Sequence, residues 1–133
     1  MDLVIDVNVL FSALIKRGKT EELLFKEAFH LFAPEFLFDE FEAYRERILE
    51  KTERPSLEFD ALVQILKKRI KTLPRTETEP FLPAAKHISP DPKDVEYFAA
   101  ALRLRCGIWS QDRALEKQDV VPVYSTEKLA QLV

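Results

Sequence analysis

The sequence predicts one α/β domain over residues 1–133, with a mostly parallel central sheet flanked by helices. Short apolar segments alternate with longer segments whose apolar residues recur every three or four positions, which is the spacing of a helix face. Strands that alternate with helices favour a parallel sheet with right-handed crossovers. The length suits one domain with its own core, and no internal repeat or domain boundary is evident.

The elements can be placed in order from this periodicity. Apolar runs predict strands at 1–5, 30–33, from 73 onward, 108–110 and 120–124. Helical spacing predicts helices at 7–16, 20–25, 35–53, 57–71, 83–89, 91–105, 113–118 and 126–132. Pro55 ends the third of these helices because proline cannot continue a helix. Asp91 followed by Pro92 is a good helix start, and Gly107 is expected to cap the C-terminus of the same helix.

The composition is that of an ordinary globular protein, with 47% hydrophobic and 32% charged residues. The net charge of -3 is not the basic footprint of a protein held on nucleic acid by charge alone. Two glycines argue against a Gly-rich phosphate loop, and Cys106 alone provides neither a disulfide nor a thiolate zinc cluster. No signal peptide and no apolar run of roughly 18 residues is visible, so we expect a cytoplasmic location without a membrane anchor.

Two aspartates follow predicted strands. Asp6 comes directly after the apolar run at 3–5, and Asp112 follows the run at 108–110 after a short polar turn. Parallel α/β sheets gather their ligands at the carboxyl ends of the strands, so we expect both carboxylates at one edge. Each aspartate could instead serve only as the N-cap of the helix that follows it.

Two further acids lie on helices that could reach the same edge. At about 100° per residue, Glu40 falls about 60° from the middle of the apolar stripe of its helix. Its neighbours Asp39 and Glu42 fall on or near the far face. Asp94 lies beside the buried stripe of the helix at 91–105, although it also stands where a capping-box acid would. A solvated helix face is the competing interpretation of Glu40.

Four carboxylates at one sheet edge would repel one another unless a cation neutralised them. Magnesium prefers oxygen ligands, so the four acids predict a divalent metal site and, with it, phosphate chemistry. His30 and His87 lie outside these acidic segments and are expected to be surface or packing residues.

The chain resembles the PIN-domain nucleases, the fold of VapC-type toxins, over nearly its whole length. The resemblance rests on DVNVLFSAL around Asp6, FLFDEFEAYRERI around Glu40, DPKDVEYFAAALRL around Asp94 and GIWSQDRAL around Asp112. The order and spacing of these segments are together fairly specific. So is the run D-x-x-[apolar]-x-A-x-A that begins at Asp94.

The resemblance implies a PIN-like fold and a metal-dependent endoribonuclease that uses magnesium or manganese to hydrolyse single-stranded RNA. By the match, the catalytic and metal-binding acids would be Asp6, Glu40, Asp94 and Asp112. The supporting polar groups around them would be Asn8, Ser12 and Ser110. The resemblance also implies a homodimer and, if the protein is the toxin of a toxin–antitoxin pair, an antitoxin protein that covers the acidic pocket.

Candidate RNA contacts are the basic residues Lys16 and Arg17 at the end of the first helix. A second basic run is more typical of a solvated helix face; it comprises Lys67, Lys68, Arg69 and Lys71. Trp109 lies in a predicted buried strand, which favours a core residue over a base-stacking platform.

Ala114 stands where some family members carry a further acid, which predicts a weaker second metal or slow catalysis. The alternative function is therefore a catalytically weak or inactive PIN-like module that binds RNA or a protein. A response-regulator receiver would need a phosphoacceptor aspartate at the end of a central strand, whereas Asp60 falls in a helical segment. A haloacid-dehalogenase-type phosphatase would want a second aspartate where Asn8 stands.

Overall fold

The computed structural model describes residues 1–133 and has a five-stranded, all-parallel sheet at its centre. The strands are β1 (Asp2–Ile5), β2 (His30–Pro34), β3 (Ile70–Leu73), β4 (Gly107–Trp109) and β5 (Val123–Tyr124). They lie side by side in the order β3-β2-β1-β4-β5. The predicted α/β class with a parallel sheet is confirmed. The chain winds from β1 towards β3 and then crosses back to β4 on the other side, so the strand order reverses beside β1.

Eight α-helices connect and cover the strands. They are α1 (Val7–Ile15), α2 (Lys19–Leu24), α3 (Leu37–Lys51), α4 (Ser56–Arg69), α5 (Arg75–Thr78), α6 (Leu82–Ile88), α7 (Val95–Leu104) and α8 (Thr126–Leu132). Three 3₁₀ turns lie at Glu79–Phe81, Pro92–Asp94 and Arg113–Glu116. None of the helices combines the length and the apolar character that crossing a bilayer requires.

The core is built around the central strand β1. Its residues Leu3, Val4 and Ile5 have no exposed surface, because helices cover both faces of the sheet. Trp109 in β4 is also fully buried, and its indole Nε1 donates to Thr126 Oγ1 at 3.1 Å. The prediction that Trp109 is a core residue is therefore confirmed.

The boundary between α4 and β3 differs from the sequence prediction, which continued the helix to residue 71 and began the strand at 73. The helix ends at Arg69, whose guanidinium donates to the carbonyl oxygens of Leu24 at 2.9 Å and Phe29 at 2.8 Å. Ile70 then pairs with Leu31 of β2. These partners lie about 40 residues earlier in the chain, so local periodicity could not reveal them.

The expectation that Gly107 caps α7 is wrong. Arg105 takes the left-handed conformation, with φ 54°, and the amide of Cys106 donates to the carbonyl of Ala101 at 3.1 Å. Gly107 instead begins β4, where β5 approaches closely. A Cβ added there would lie 2.6 Å from Tyr124 Cε2 and 2.9 Å from the backbone oxygen of Pro122.

The last strand is shorter than the predicted run at 120–124, since only Val123–Tyr124 pairs with β4. The amides of Val120 and Val121 donate to Gln118 Oε1 at 3.0 Å and 2.8 Å. These backbone groups are therefore satisfied by a side chain rather than by the sheet. The helix predicted at 113–118 is likewise reduced to the 3₁₀ turn Arg113–Glu116.

We expect Gly107→Ala to destabilise the protein by about 1–3 kcal/mol, because the added methyl group overlaps Tyr124 and the backbone of Pro122. The measurement is the free energy of unfolding in urea. Gly18→Ala is the matched control, since nothing lies within 4 Å of a Cβ added at Gly18 and its φ of 170° is extended. The control should be neutral or gain less than about 1 kcal/mol. Equal losses in both variants would contradict the close approach of β5.

Candidate active site

The carboxyl ends of β1 and β4 meet at the point where the strand order reverses. The amide of Asp6, directly after β1, donates to the backbone oxygen of Trp109 at the end of β4, at 3.1 Å. Open α/β sheets bind ligands in the crevice at such a switch point. Two of the predicted acids, Asp6 and Asp112, follow the two strands that border it.

Asp6 is held by hydrogen bonds to both carboxylate oxygens. Its Oδ1 accepts from the amide of Asn8 at 3.1 Å, and Oδ2 accepts from Ser110 Oγ at 2.9 Å. Asp6 therefore caps α1 and also faces β4. Only 5% of Asp6 is exposed. Burial raises the pKa of Asp6, the hydrogen bonds from Asn8 and Ser110 oppose this, and the nearby charge of Asp112 raises it further.

Ser110 connects Asp6 to the turn that carries Asp112. Its hydroxyl donates to Asp6 and accepts from the amide of Asp112 at 3.0 Å. Asp112 itself is exposed, and its Oδ1 accepts from the amide of Ala114 at 3.0 Å. One buried serine thus holds a fixed acid and an exposed acid beside each other.

Glu40 reaches the same edge from the first turn of α3. It is partly buried, whereas Asp39 is exposed, as the helical spacing predicted. The Tyr97 hydroxyl lies 3.5 Å from Glu40 Oε2, near the outer limit of a hydrogen bond, and it accepts from the amide of Val7 at 3.2 Å. Burial raises the pKa of Glu40, and the charge of Asp6 raises it further.

Tyr97 is the residue at this edge that sequence reasoning missed. It is buried in α7, with 3% exposure, and its hydroxyl joins the first amide of α1 to the side chain from α3. Burial, followed by the charges of Glu40 and Asp6, raises the pKa of Tyr97, so the phenol stays protonated. A tyrosine three residues after Asp94 was a visible signal, but its polar tip could not be distinguished from an ordinary core aromatic.

Asp94 ends the 3₁₀ turn that precedes α7. Asp91 caps this turn, since its Oδ1 accepts from the amide of Lys93 at 2.9 Å. The predicted cap at Asp91-Pro92 is confirmed, but it begins the 3₁₀ turn, and the α-helix itself starts at Val95. Asp94 makes no such capping bond and is partly buried. Burial raises its pKa to about 6, helped by the charges of Asp6, Asp91, Asp112 and Glu40.

The four acids therefore lie within electrostatic reach of one another, and no cation of the protein neutralises them. None of the ion pairs in the structure includes Asp6, Glu40, Asp94 or Asp112. The side chains do not form a closed cage, since no three acidic, histidine or cysteine groups are arranged as a preformed metal site.

The donor set nevertheless fits a hard divalent cation. All four groups are carboxylates, and magnesium commonly keeps several waters while it uses one or two protein carboxylates. Asp6 and Glu40 could hold such an ion from the buried side, while the exposed Asp112 could approach it from solvent. An open, partly hydrated site needs no preformed cage.

Of the other predicted site residues, only some contact the acids. The amide of Asn8 bonds Asp6, and its side-chain Nδ2 lies 3.5 Å from Asp6 Oδ1. Ser12 is exposed and makes no hydrogen bond to an acid. Lys16 and Arg17 follow the far end of α1, about 14 Å along the helix from Asp6, and Arg17 pairs with Glu58.

Two residues of the second basic run are occupied by other contacts. Lys67 pairs with Glu42 at 3.8 Å, and Arg69 donates to backbone carbonyls. His30 pairs with Asp2 at the amino edge of the sheet, at 3.0 Å, so it lies at the opposite end of the strands from the acids.

A sequence profile of the PIN domain matches residues 4–132 of this chain. The match covers nearly the whole protein, and the chain belongs to the PIN-domain family. PIN domains are generally nucleases that use divalent metal ions and bind nucleic acid. Comparison with curated proteins gave no match.

We expect Tyr97→Phe to destabilise the protein by about 1–2 kcal/mol, because the buried amide of Val7 loses its acceptor. The free energy of unfolding in urea measures this loss. Tyr44→Phe is the control, because Tyr44 is 42% exposed and its hydroxyl makes no hydrogen bond, so that variant should be unchanged. If Tyr97→Phe and Tyr44→Phe had the same free energy of unfolding, the hydrogen bond of the Tyr97 hydroxyl would contribute nothing to stability.

We expect Asp94→Asn to stabilise the metal-free protein at neutral pH. The pKa of Asp94 is raised from 3.8 to about 6, so the folded state binds a proton more readily than the unfolded state. The stability contributed by this group is therefore lost as the pH rises through that window. After solvent screening is allowed for, the variant should gain about 1 kcal/mol at about pH 7.5 and nothing at about pH 4.

Unfolding in urea at both pH values tests this expectation. Asp39→Asn, at an exposed acid without an ion pair, is the control for the charge change and should show no such dependence. A loss of stability in Asp94→Asn at neutral pH would contradict the predicted repulsion among the acids.

Proposed function

We propose that the protein is a metal-dependent endoribonuclease that hydrolyses phosphodiester bonds of single-stranded RNA. The observation that supports this most directly is the group of four carboxylates at the sheet switch point that no cation of the protein neutralises. Membership of the PIN-domain family supports the same activity. In this proposal Asp6, Glu40, Asp94 and Asp112 hold one or two magnesium or manganese ions.

A divalent ion in this site supplies Lewis acidity to activate water and positive charge to receive a phosphate. The protein fixes the positions of the carboxylates that would hold this ion. Asp6 is fixed by Asn8 and Ser110, so its carboxylate keeps one orientation during the reaction. Tyr97 lies beside Glu40 on the buried side, and the exposed Asp112 would face the incoming RNA. Asp94 must lose its proton before it can act as a ligand, so metal binding and activity should weaken as the pH falls.

No histidine is needed as a general base in this scheme. His30 lies at the amino edge of the sheet with Asp2. His87 is exposed on α6. The carboxylates of the site would accept and release the protons, and a bound ion would supply the activation of water.

The partner predictions remain part of this proposal. A homodimer would use α3 and α4, where several large apolar side chains are exposed: Tyr44, Leu49, Leu57 and Ile65. If the protein is the toxin of a toxin–antitoxin pair, an antitoxin would cover the acidic crevice. We keep the cytoplasmic location and the RNA contacts at Lys16 and Arg17 as predictions, the latter requiring Arg17 to leave Glu58.

The alternative is a PIN-like module that binds RNA or a protein with little catalysis. The open arrangement of the acids and the presence of Ala114 beside the exposed Asp112 favour it. Such a module would bind manganese weakly or not at all.

The deciding experiment is cleavage of a panel of labelled single-stranded RNAs by the purified protein in manganese, magnesium or EDTA. We expect cutting that requires the metal and that falls about 100-fold or more in Asp6→Asn and Glu40→Gln, because each variant removes a metal-binding carboxylate. Asp39→Asn is the matched control, one residue from Glu40 but exposed, and should cut normally.

Manganese titration of the same variants separates the two functions. Metal binding without cleavage of any RNA in the panel would refute a general nuclease. The absence of both metal binding and cleavage would favour the binding module over the nuclease. Cleavage that survives in both Asp6→Asn and Glu40→Gln would show that the reaction occurs elsewhere.

A further inference from the structure

A cleft of about 410 Å³ lies beside the turn that carries Asp94. Pro92 and Val95, which flank Asp94 in the chain, form one wall of it. α5 and α6, which pack against α7, supply the other walls. Its polar lining consists of Arg75, Lys86, Ser89 and Glu96. Small-molecule sites commonly measure about 300–1,000 Å³, so a nucleotide-sized group fits such a space.

Arg75 reaches this cleft because of the strand order. It begins α5 directly after β3 and Pro74, and β3 runs parallel to β1 and β4. The carboxyl ends of parallel strands share one edge, so Arg75 emerges at the edge that bears Asp6 and Asp112. Arg75 and the acids are thus on the same side of the sheet, at different positions along it.

The charges of this cleft suit an anion. Lys86 is exposed and makes no ion pair, and Arg75 meets only Glu96, at the long distance of 3.9 Å, with 61% of its side chain exposed. A pair so exposed contributes little to stability, so both cations are available to a ligand. Two cations against one carboxylate give the cleft a net positive charge.

A second cleft, of about 400 Å³, adjoins Asp112 on the β5 side and lacks this positive balance. Its charged lining is Asp112, Arg113, Glu116, Glu127 and Lys128. Asp112 belongs to the acidic site itself. The two remaining carboxylates, Glu116 and Glu127, match the two cations in number, and Lys128 already pairs with Glu116 at 3.0 Å. A polyanion that approaches the acidic site therefore meets no net positive charge on the β5 side and is attracted on the β3 side.

From this contrast we infer that Arg75 and Lys86 bind a backbone phosphate of the RNA next to the one that is cut. The RNA then leaves the acidic site across the carboxyl end of β3 rather than that of β5. This inference rests on the proposed ribonuclease function for the identity of the ligand. Because phosphate contacts carry no base information, the site contributes affinity without sequence preference.

The test measures binding of a labelled single-stranded RNA of mixed sequence by fluorescence anisotropy in EDTA, where metal-dependent cutting does not interfere. The double variant Arg75→Ala/Lys86→Ala should bind about tenfold more weakly. Its plot of log affinity against log salt should be less steep by about 0.7, the value for one phosphate contact on a single strand.

The matched control is the double variant Arg103→Ala/Lys26→Ala. Both residues are exposed, make no ion pair and lie towards the amino edge of the sheet, and the change in net charge is the same. The control should bind as the unaltered protein does. Equal weakening in both double variants would reduce the effect to net charge and overturn the inference, as would no weakening in either.

Steady-state cleavage in manganese separates this inference from the proposed function. The Arg75/Lys86 variant should raise KM with little change in kcat, because it removes binding remote from the reacting bond. RNA binding that depends on these two residues, in a protein that cuts no RNA, would refute the nuclease and leave the phosphate site standing. Normal cleavage with an unchanged KM in the double variant would support the nuclease and refute the phosphate site.

Discussion

The buried carboxylate of Asp6 is the constraint on which this edge of the protein depends. A charge with 5% exposure is unfavourable in the interior unless hydrogen bonds replace its water. The amide of Asn8 can supply one bond only because α1 begins immediately after β1. Ser110 can supply the other only because β4 lies directly beside β1. One buried charge thus couples the start of a helix to the order of the strands.

This arrangement is unfavourable for stability, and the rest of the fold offsets it. Burial raises the pKa values of Asp6, Glu40 and Asp94, and the charges of neighbouring acids raise them further. A core of 34 buried apolar residues supports this unfavourable edge. Natural proteins often retain such a destabilised site where function needs it. A divalent ion that relieved the repulsion would also stabilise the fold, so metal affinity and stability are linked.

Much of the architecture could be predicted because it depends on local signals. Apolar periodicity located the strands and helices, and Asp91 with Pro92 marked a cap that the structure confirms. The failures share one cause. The end of α4 depends on carbonyls about 40 residues away, and the role of Gly107 depends on the close approach of β5. No pattern within a single segment contains that information.

The sequence by itself determined that Asp6 and Asp112 each follow a strand and precede a helical segment, because order and spacing are local properties of the chain. Only the tertiary structure decided which polar groups meet them. Ser110 bonds Asp6 across 104 residues and Tyr97 approaches Glu40 across 57, whereas Ser12, six residues from Asp6, makes no bond to it. Strand order brings distant segments to one edge, while helix geometry carries near neighbours away from it. Proximity along the chain therefore identified Asn8 as a partner of Asp6 but not Ser110 or Tyr97.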